Sequence, residues 1–184
     1  MSLSVTFIIL LIDIVIFSVF EVIVLAELGV PENLSITYYM FGEHKKYLRW
    51  LFPMISSFLC FTAGPIWILS TYNASGWHSK FVAVPVFAFI CLMAVTASAN
   101  YKKNQRLINF HYTCAILTAA CFLIWLNVVA FKLAYIGIAI LLVMLYAGIR
   151  TKTLKKCSLF WLETAGYYSL LFILLVIELI PIRV

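Results

Sequence analysis

Apolar residues recur along this chain in long runs separated by short polar breaks. Runs extend over residues 3–28, about 47–69, about 81–99, 107–149 almost without pause, and about 158–182. A helix crossing the hydrocarbon of a bilayer needs about 20 apolar residues, so each shorter run reads as one span. At 1.5 Å per residue the 107–149 run would make a helix of about 64 Å, roughly two hydrocarbon thicknesses. It must fold back once, and Asn127 and Lys132 are the polar pair near its middle. The pattern therefore predicts six spans, the fourth and fifth covering 107–126 and 133–149.

Inside hydrocarbon, backbone N–H and C=O groups find partners only within helices or closed barrels. The runs lack the alternating polarity of barrel strands. The fold class is thus all-α, a six-transmembrane-helix bundle, with residues 1–184 forming a single domain. Pro53, Pro65 and Pro85 fall within the second and third spans, where kinks are expected. The longest connection runs from Val30 to Lys46 and reads as a loop. No Lys or Arg precedes Lys45, so the first run lacks the basic start of a secretory signal and is expected to be retained as a span.

Composition sharpens this picture. Of the 184 residues, 65% are hydrophobic and 11% charged, with a mean hydropathy of +1.09. Soluble domains carry about 25% charged residues, and no water-soluble fold of this size could hide so much apolar surface. The net charge of +6 does not point to nucleic acid, because the cations sit in short clusters between apolar runs, as in loops that face anionic headgroups. Membrane lipids are the expected partners. Ten of the thirteen Lys and Arg residues lie in the first, third and fifth loops, among them Lys45, Lys46, Arg49, Lys102, Arg106, Arg150 and Lys156. That asymmetry predicts that these loops are cytoplasmic and both termini non-cytoplasmic. Trp50, Tyr101 and Trp161 on one side, with Trp67, Tyr72 and Trp77 on the other, fit two interfacial belts. Asn33-Leu-Ser35 and Asn73-Ala-Ser75 match glycosylation sequons on opposite sides, so at most one could be used.

Ionisable groups at membrane depth are costly and are candidates for function. The first span carries Asp13, Glu21 and Glu27, which with Thr6 fall within an arc of about 120°. The fourth span carries His111 and the sixth Glu163. Glu21, Glu27, His111 and Glu163 all lie toward the first, third and fifth loops, so they share one leaflet. Ser35, Thr37, Tyr38 and Tyr39 in the long loop are placed to cover them. The functional reading is a polar pocket that binds a lipid headgroup or passes protons, with Asp13 and Glu21 as relay groups. The plainer reading is structural, with His111 and Glu163 paired to avoid a lone buried charge. Glu178, near Arg183, reads as an interfacial anchor.

Other chemistry is sparse. Cys60, Cys91, Cys114, Cys121 and Cys157 lack paired spacing and read as small buried hydrophobes, without disulfides or zinc. The three histidines, His44, His78 and His111, do not form a metal-ligand spacing, and no phosphate loop, nucleophile elbow or His-Glu-x-x-His occurs. No metal or cofactor is expected, and an enzyme is the weaker reading. His111, Cys114, Ala115, Thr118, Ala119 and Cys121 give the fourth span small-residue faces suited to helix packing, either within the chain, with a second copy or with another membrane protein.

Pro31-Glu-Asn-Leu-Ser35-Ile-Thr37 after the first span, Leu51-Phe-Pro53 opening the second and His111-Tyr-Thr-Cys-Ala115 opening the fourth resemble the layout of the Frag/DRAM/Sfk group of six-span membrane proteins and their bacterial relatives. The family's Ser-Asp-x-Gly is not matched, since Ile36 and Thr37 follow Ser35. The resemblance implies six spans and membrane lipid handling, and it marks Ser35, His111 and Glu163. With Glu21 these make the candidate ligand-binding set. The function expected is binding of a lipid or amphiphile near the cytoplasmic leaflet; the alternatives are a small transporter or proton-coupled channel, or a helix-docking subunit.

Overall fold

A computed structural model describes residues 4–74, 79–128 and 130–179. Trp77, His78, Arg183 and Ser75 of the second sequon lie outside these residues, as do the side chains of Lys80 and Lys103. The described residues form helices and no strand: α1 (Val5–Leu28), α2 (Thr37–His44), α3 (Leu51–Ala74), α4 (Ala83–Ala97), α5 (Gln105–Val128), α6 (Ala134–Arg150) and α7 (Leu154–Leu179). The all-α expectation holds. Short 3-10 turns at Lys46–Leu48, Ser79–Val82, Tyr101–Lys103 and Phe131–Leu133 join several of them.

Among the described residues five helical segments are long and apolar enough to cross a membrane: Val5–Leu28, Lys46–Asn73, Gln105–Val128, Phe131–Arg150 and Leu154–Leu179. The third expected span appears as α4, only 15 residues long. At its end Thr96 Oγ1 donates to Leu92 O at 3.0 Å, and Ala94 O accepts from both Ser98 N at 3.0 Å and Ser98 Oγ at 2.6 Å. The fold-back between α5 and α6 falls between Asn127 and Lys132, as the polar pair indicates.

Two expectations need correction. The long connection is not all loop, since Thr37–His44 is helical. Of the three prolines only Pro65 lies in a helix interior. Pro53 and Pro85 occupy first turns, where the missing N–H has no helical partner to lose.

α1, α3 and α7 pack together at the centre, α4 joins α3 to α5 on one flank, and α6 leans chiefly on α7 on the other. Close approach of α6 to α7 depends on glycine: a Cβ on Gly148 would lie 2.9 Å from the Trp161 ring. His111, Cys114 and Cys121 of α5 are buried, and Cys114 clusters with Cys91 and Val95 of α4. Much of the small-residue face thus packs within the chain, while Ala119 stays exposed. The outside of the bundle is apolar, with Val15, Val19, Val22, Leu142 and Val143 among its exposed residues. That suits lipid and not water.

Side-chain bonds fix the two ends of the bundle. At one end Trp125 Nε1 of α5 donates to Thr71 Oγ1 of α3 at 2.8 Å, and Ser4 and Ser70 both approach Glu178 at 3.5 Å. The opposite end, called the loop end below, gathers the 29–50 connection, the end of α4 and the starts of α5 and α7.

Candidate binding site at the loop end and the adjoining cleft

Gly29 closes α1 with a φ of 72°, a conformation that favours glycine. Pro31 follows, and the chain turns into the bundle: Pro31 and Asn33 to Tyr38 are all buried. A buried loop must satisfy its own backbone. Asn33 Oδ1 accepts from Ile36 N at 2.8 Å and from Ser35 Oγ at 2.9 Å, and Thr37 Oγ1 donates to Leu34 O at 2.6 Å. The remaining groups reach α7. Cys157 is non-helical, at φ −122° and ψ 29°. That break turns the chain so that Phe160 N donates to Glu32 O at 3.0 Å, and Cys157 Sγ lies 3.2 Å from Val30 O. Glu163 Oε2 accepts from Leu34 N at 2.7 Å.

His111 holds the next residue. Its Nε2 lies 3.0 Å from Ser35 Oγ and its Nδ1 2.9 Å from Ser98 Oγ, while Tyr101 stacks on the ring at 4.2 Å between centroids. The expected direct pair of His111 with Glu163 is therefore replaced: the two grip adjacent loop residues, His111 at Ser35 and Glu163 at Leu34. Ser35 and His111 are only 5% and 2% exposed, so they satisfy each other within the packing. Burial raises the pKa of the Tyr101 phenol, which favours its neutral form. The sequon at Asn33 is likewise enclosed, at 3% exposure with its amide oxygen engaged, and leaves no room for a glycan.

The acids of α1 do not form one polar side. Asp13 and Glu21 point about 80° apart around the helix and meet different neighbours. Asp13 is fully enclosed against α3; Thr62 Oγ1 donates to its Oδ1 at 2.8 Å, and Oδ2 has no partner among the described residues. Glu21 faces α7, where Tyr168 donates to Oε2 at 2.9 Å. The Tyr168 hydroxyl also lies 2.9 Å from Ser18 Oγ. No hydrogen bond joins Asp13 to Glu21. Glu27 reaches the surface and pairs with Lys45, whose pKa the hydrogen bond raises. Ser18 and Tyr168 were not singled out from the sequence; the one usable signal is that Ser18 lies one helical turn before Glu21.

Glu21 and Tyr168 border a cleft of about 330 Å³ completed by Ala139, Ile140, Val143, Met144 and Phe172. It lies between α1 and α6, floored by α7. Val143 is 62% exposed, so the cleft opens sideways onto the apolar exterior. Among the described residues no three His, Cys, Asp or Glu side chains converge as a metal set.

No protein-family model, curated protein or solved structure matches the chain. The described residues are all-α, with five helices long and apolar enough to cross a membrane and an apolar exterior, features that suggest a multi-pass membrane protein.

Proposed function

We propose that this protein crosses the membrane six times and binds a lipid or other amphiphile in the cleft between α1 and α6. The observation that carries the reading is the cleft itself: apolar walls open to hydrocarbon, with one acid and one tyrosine at its edge. Sites for small ligands are mostly apolar with a few placed polar groups and volumes from about 300 Å³. Glu21 lies seven residues before the end of α1, about 10 Å in from the loop end. That is the depth at which a headgroup or its linker sits.

The sixth crossing rests on direction. Thr71 meets Trp125 near the C-terminal ends of α3 and α5, so these helices run parallel. The chain must return between them, and Ser98 at the end of α4 meets His111 near the start of α5. With the turn at Ser79–Val82, helical backbone covers 79–97, about 30 Å of rise at ordinary helical pitch. The basic clusters gather at the loop end, which favours that end as the cytoplasmic one. Lipid handling also accords with the resemblance to the Frag/DRAM/Sfk group, which rests on Ser35, His111 and the proline-containing segments. In this reading Ser35, His111 and Glu163 hold the loop beside the site, and Glu21 meets the ligand.

A second reading is a small proton-coupled transporter. The unpartnered Oδ2 of Asp13, sealed between α1 and α3, favours it, since such a group can hold a proton. Lipid analysis of the purified protein tests the leading reading. A specific lipid should co-purify with the wild type and be lost from Ala139→Phe, which fills the cleft. Identical lipid content in both would refute the assignment of the site.

A further inference from the structure

We propose that the cleft selects amphiphiles whose head is a protonated primary or secondary amine. This rests on the cleft being a ligand site and adds the class of ligand. Glu21 lines the cleft and accepts from Tyr168 through Oε2, and among the described residues no donor reaches its Oε1. Among the described residues the single ion pair is Lys45 with Glu27, so no protein cation compensates Glu21. A carboxylate at this depth without a counter-charge is disfavoured.

Two remedies exist, a proton on Glu21 or a cation brought in from the membrane. An ammonium supplies both the charge and an N–H donor for Oε1, and charge-assisted bonds of this kind are about twice as strong as neutral ones. Tyr168 remains as a donor on the other oxygen, and the single Ser18 proton serves either Ile14 O at 2.7 Å or the Tyr168 oxygen at 2.9 Å.

The rest of the lining fits the apolar body of such a ligand. Ile140, Val143, Met144 and Phe172 offer no hydrogen-bond donor or acceptor besides the weakly accepting Met144 sulfur. They therefore cannot compensate a phosphate or sulfate brought to the same depth. An anionic head would also meet Glu21 as a like charge, and a neutral alcohol would gain one ordinary hydrogen bond. The predicted order is amine above alcohol above carboxylate at equal chain length.

The test is partition of radiolabelled dodecylamine, dodecanol and dodecanoate into phosphatidylcholine nanodiscs with and without the full-length protein. Wild type should retain the amine about tenfold over the alcohol, the size of one net charge-assisted bond. Glu21→Gln should remove that preference while keeping the alcohol, and Ala139→Phe should remove both. Equal retention of amine and alcohol by wild type, or an amine preference that survives in Glu21→Gln, would overturn the amine assignment and leave the cleft as a ligand site. Retention of neither probe, or retention untouched by Ala139→Phe, would overturn the cleft reading itself. A folded state of each variant is checked by its elution from size exclusion and its helical circular dichroism.

Discussion

His111 Nε2 lies 3.0 Å from Ser35 Oγ, and this contact ties the start of α5 to a loop buried between α1 and α2. Glu163 grips the neighbouring residue from α7 through the Leu34 N–H. Removing either leaves buried polar groups unsatisfied, which costs about 1–3 kcal/mol each. Glu163→Ala and His111→Ala should both lower the thermal midpoint in detergent. Glu163→Gln, whose amide oxygen can still accept from Leu34, should recover most of the loss. Because both side chains fix one loop, the double alanine variant should lose less than the sum of the singles. Strict additivity would show that the two act independently.

The approach of α6 to α7 gives a sharper steric test. Gly148→Ala would place its Cβ 2.9 Å from the Trp161 ring. The ring must move, and with it the Trp161 Nε1 bond to Thr153 Oγ1 at 3.1 Å. A loss of about 1–3 kcal/mol is expected, as for overpacked cores. Gly166→Ala meets nothing within 4 Å and should be neutral or stabilising by up to about 1 kcal/mol, since alanine is the better helix former. Equal thermal midpoints for the two variants would contradict this packing.

Asp13 is the deepest acid of α1, with one oxygen bonded to Thr62 and the other without a partner. An amide there removes a charge and keeps an acceptor for Thr62. Asp13→Asn should therefore match or exceed wild-type thermal stability. In proteoliposomes, a proton-driven uptake abolished by Asp13→Asn would favour the transporter reading over the lipid-binding one. Unchanged ion permeability on the same substitution would remove Asp13 from any transport role.

Alkaline titration probes the packing around His111. Burial raises the Tyr101 pKa in the folded protein, while in the unfolded chain a tyrosine titrates near about 10. Above that value the unfolded state sheds a proton that the folded state retains, so stability falls as pH rises. The fall should be full-sized in wild type and reduced in Tyr101→Phe, read as the thermal midpoint between about pH 9 and 11. Parallel curves would place the phenol in solvent.

Most of the helical layout was legible in the apolar runs. The extents of α1 and of the α5–α6 hairpin follow from run length and one polar pair. The sixth run was read from residue 158, directly after the non-helical Cys157. The end of α4 at Ala97 was not visible, because the apolar run continues through Ala99 and marks no stop. α2 was missed because Thr37–His44 mixes aromatic and polar residues without a clear period. The depth of His111 and Glu163 was readable from helix direction; their partners were not. A hydrogen bond to the backbone of Leu34 leaves no trace in residue type, and Asn33-Leu-Ser35 has the look of an exposed turn although packing encloses it. Glu21 stood out as a charge in an apolar run, whereas Tyr168 and the α6 wall of its cleft are ordinary membrane residues that only tertiary structure brings together.

The central claim is that lipid or another amphiphile occupies the cleft between α1 and α6, and photo-cross-linking tests it directly. A diazirine-bearing fatty amphiphile, equilibrated with the protein in proteoliposomes and mapped by peptide mass spectrometry, should label Met144, Ile140 and Phe172 well above exposed residues elsewhere such as Phe61, Ile116 and Leu123. Excess unlabelled amphiphile should suppress the cleft signal and spare the others. Even labelling of all these positions, unaffected by competitor, would contradict the claim and leave the cleft as one more stretch of lipid-facing surface.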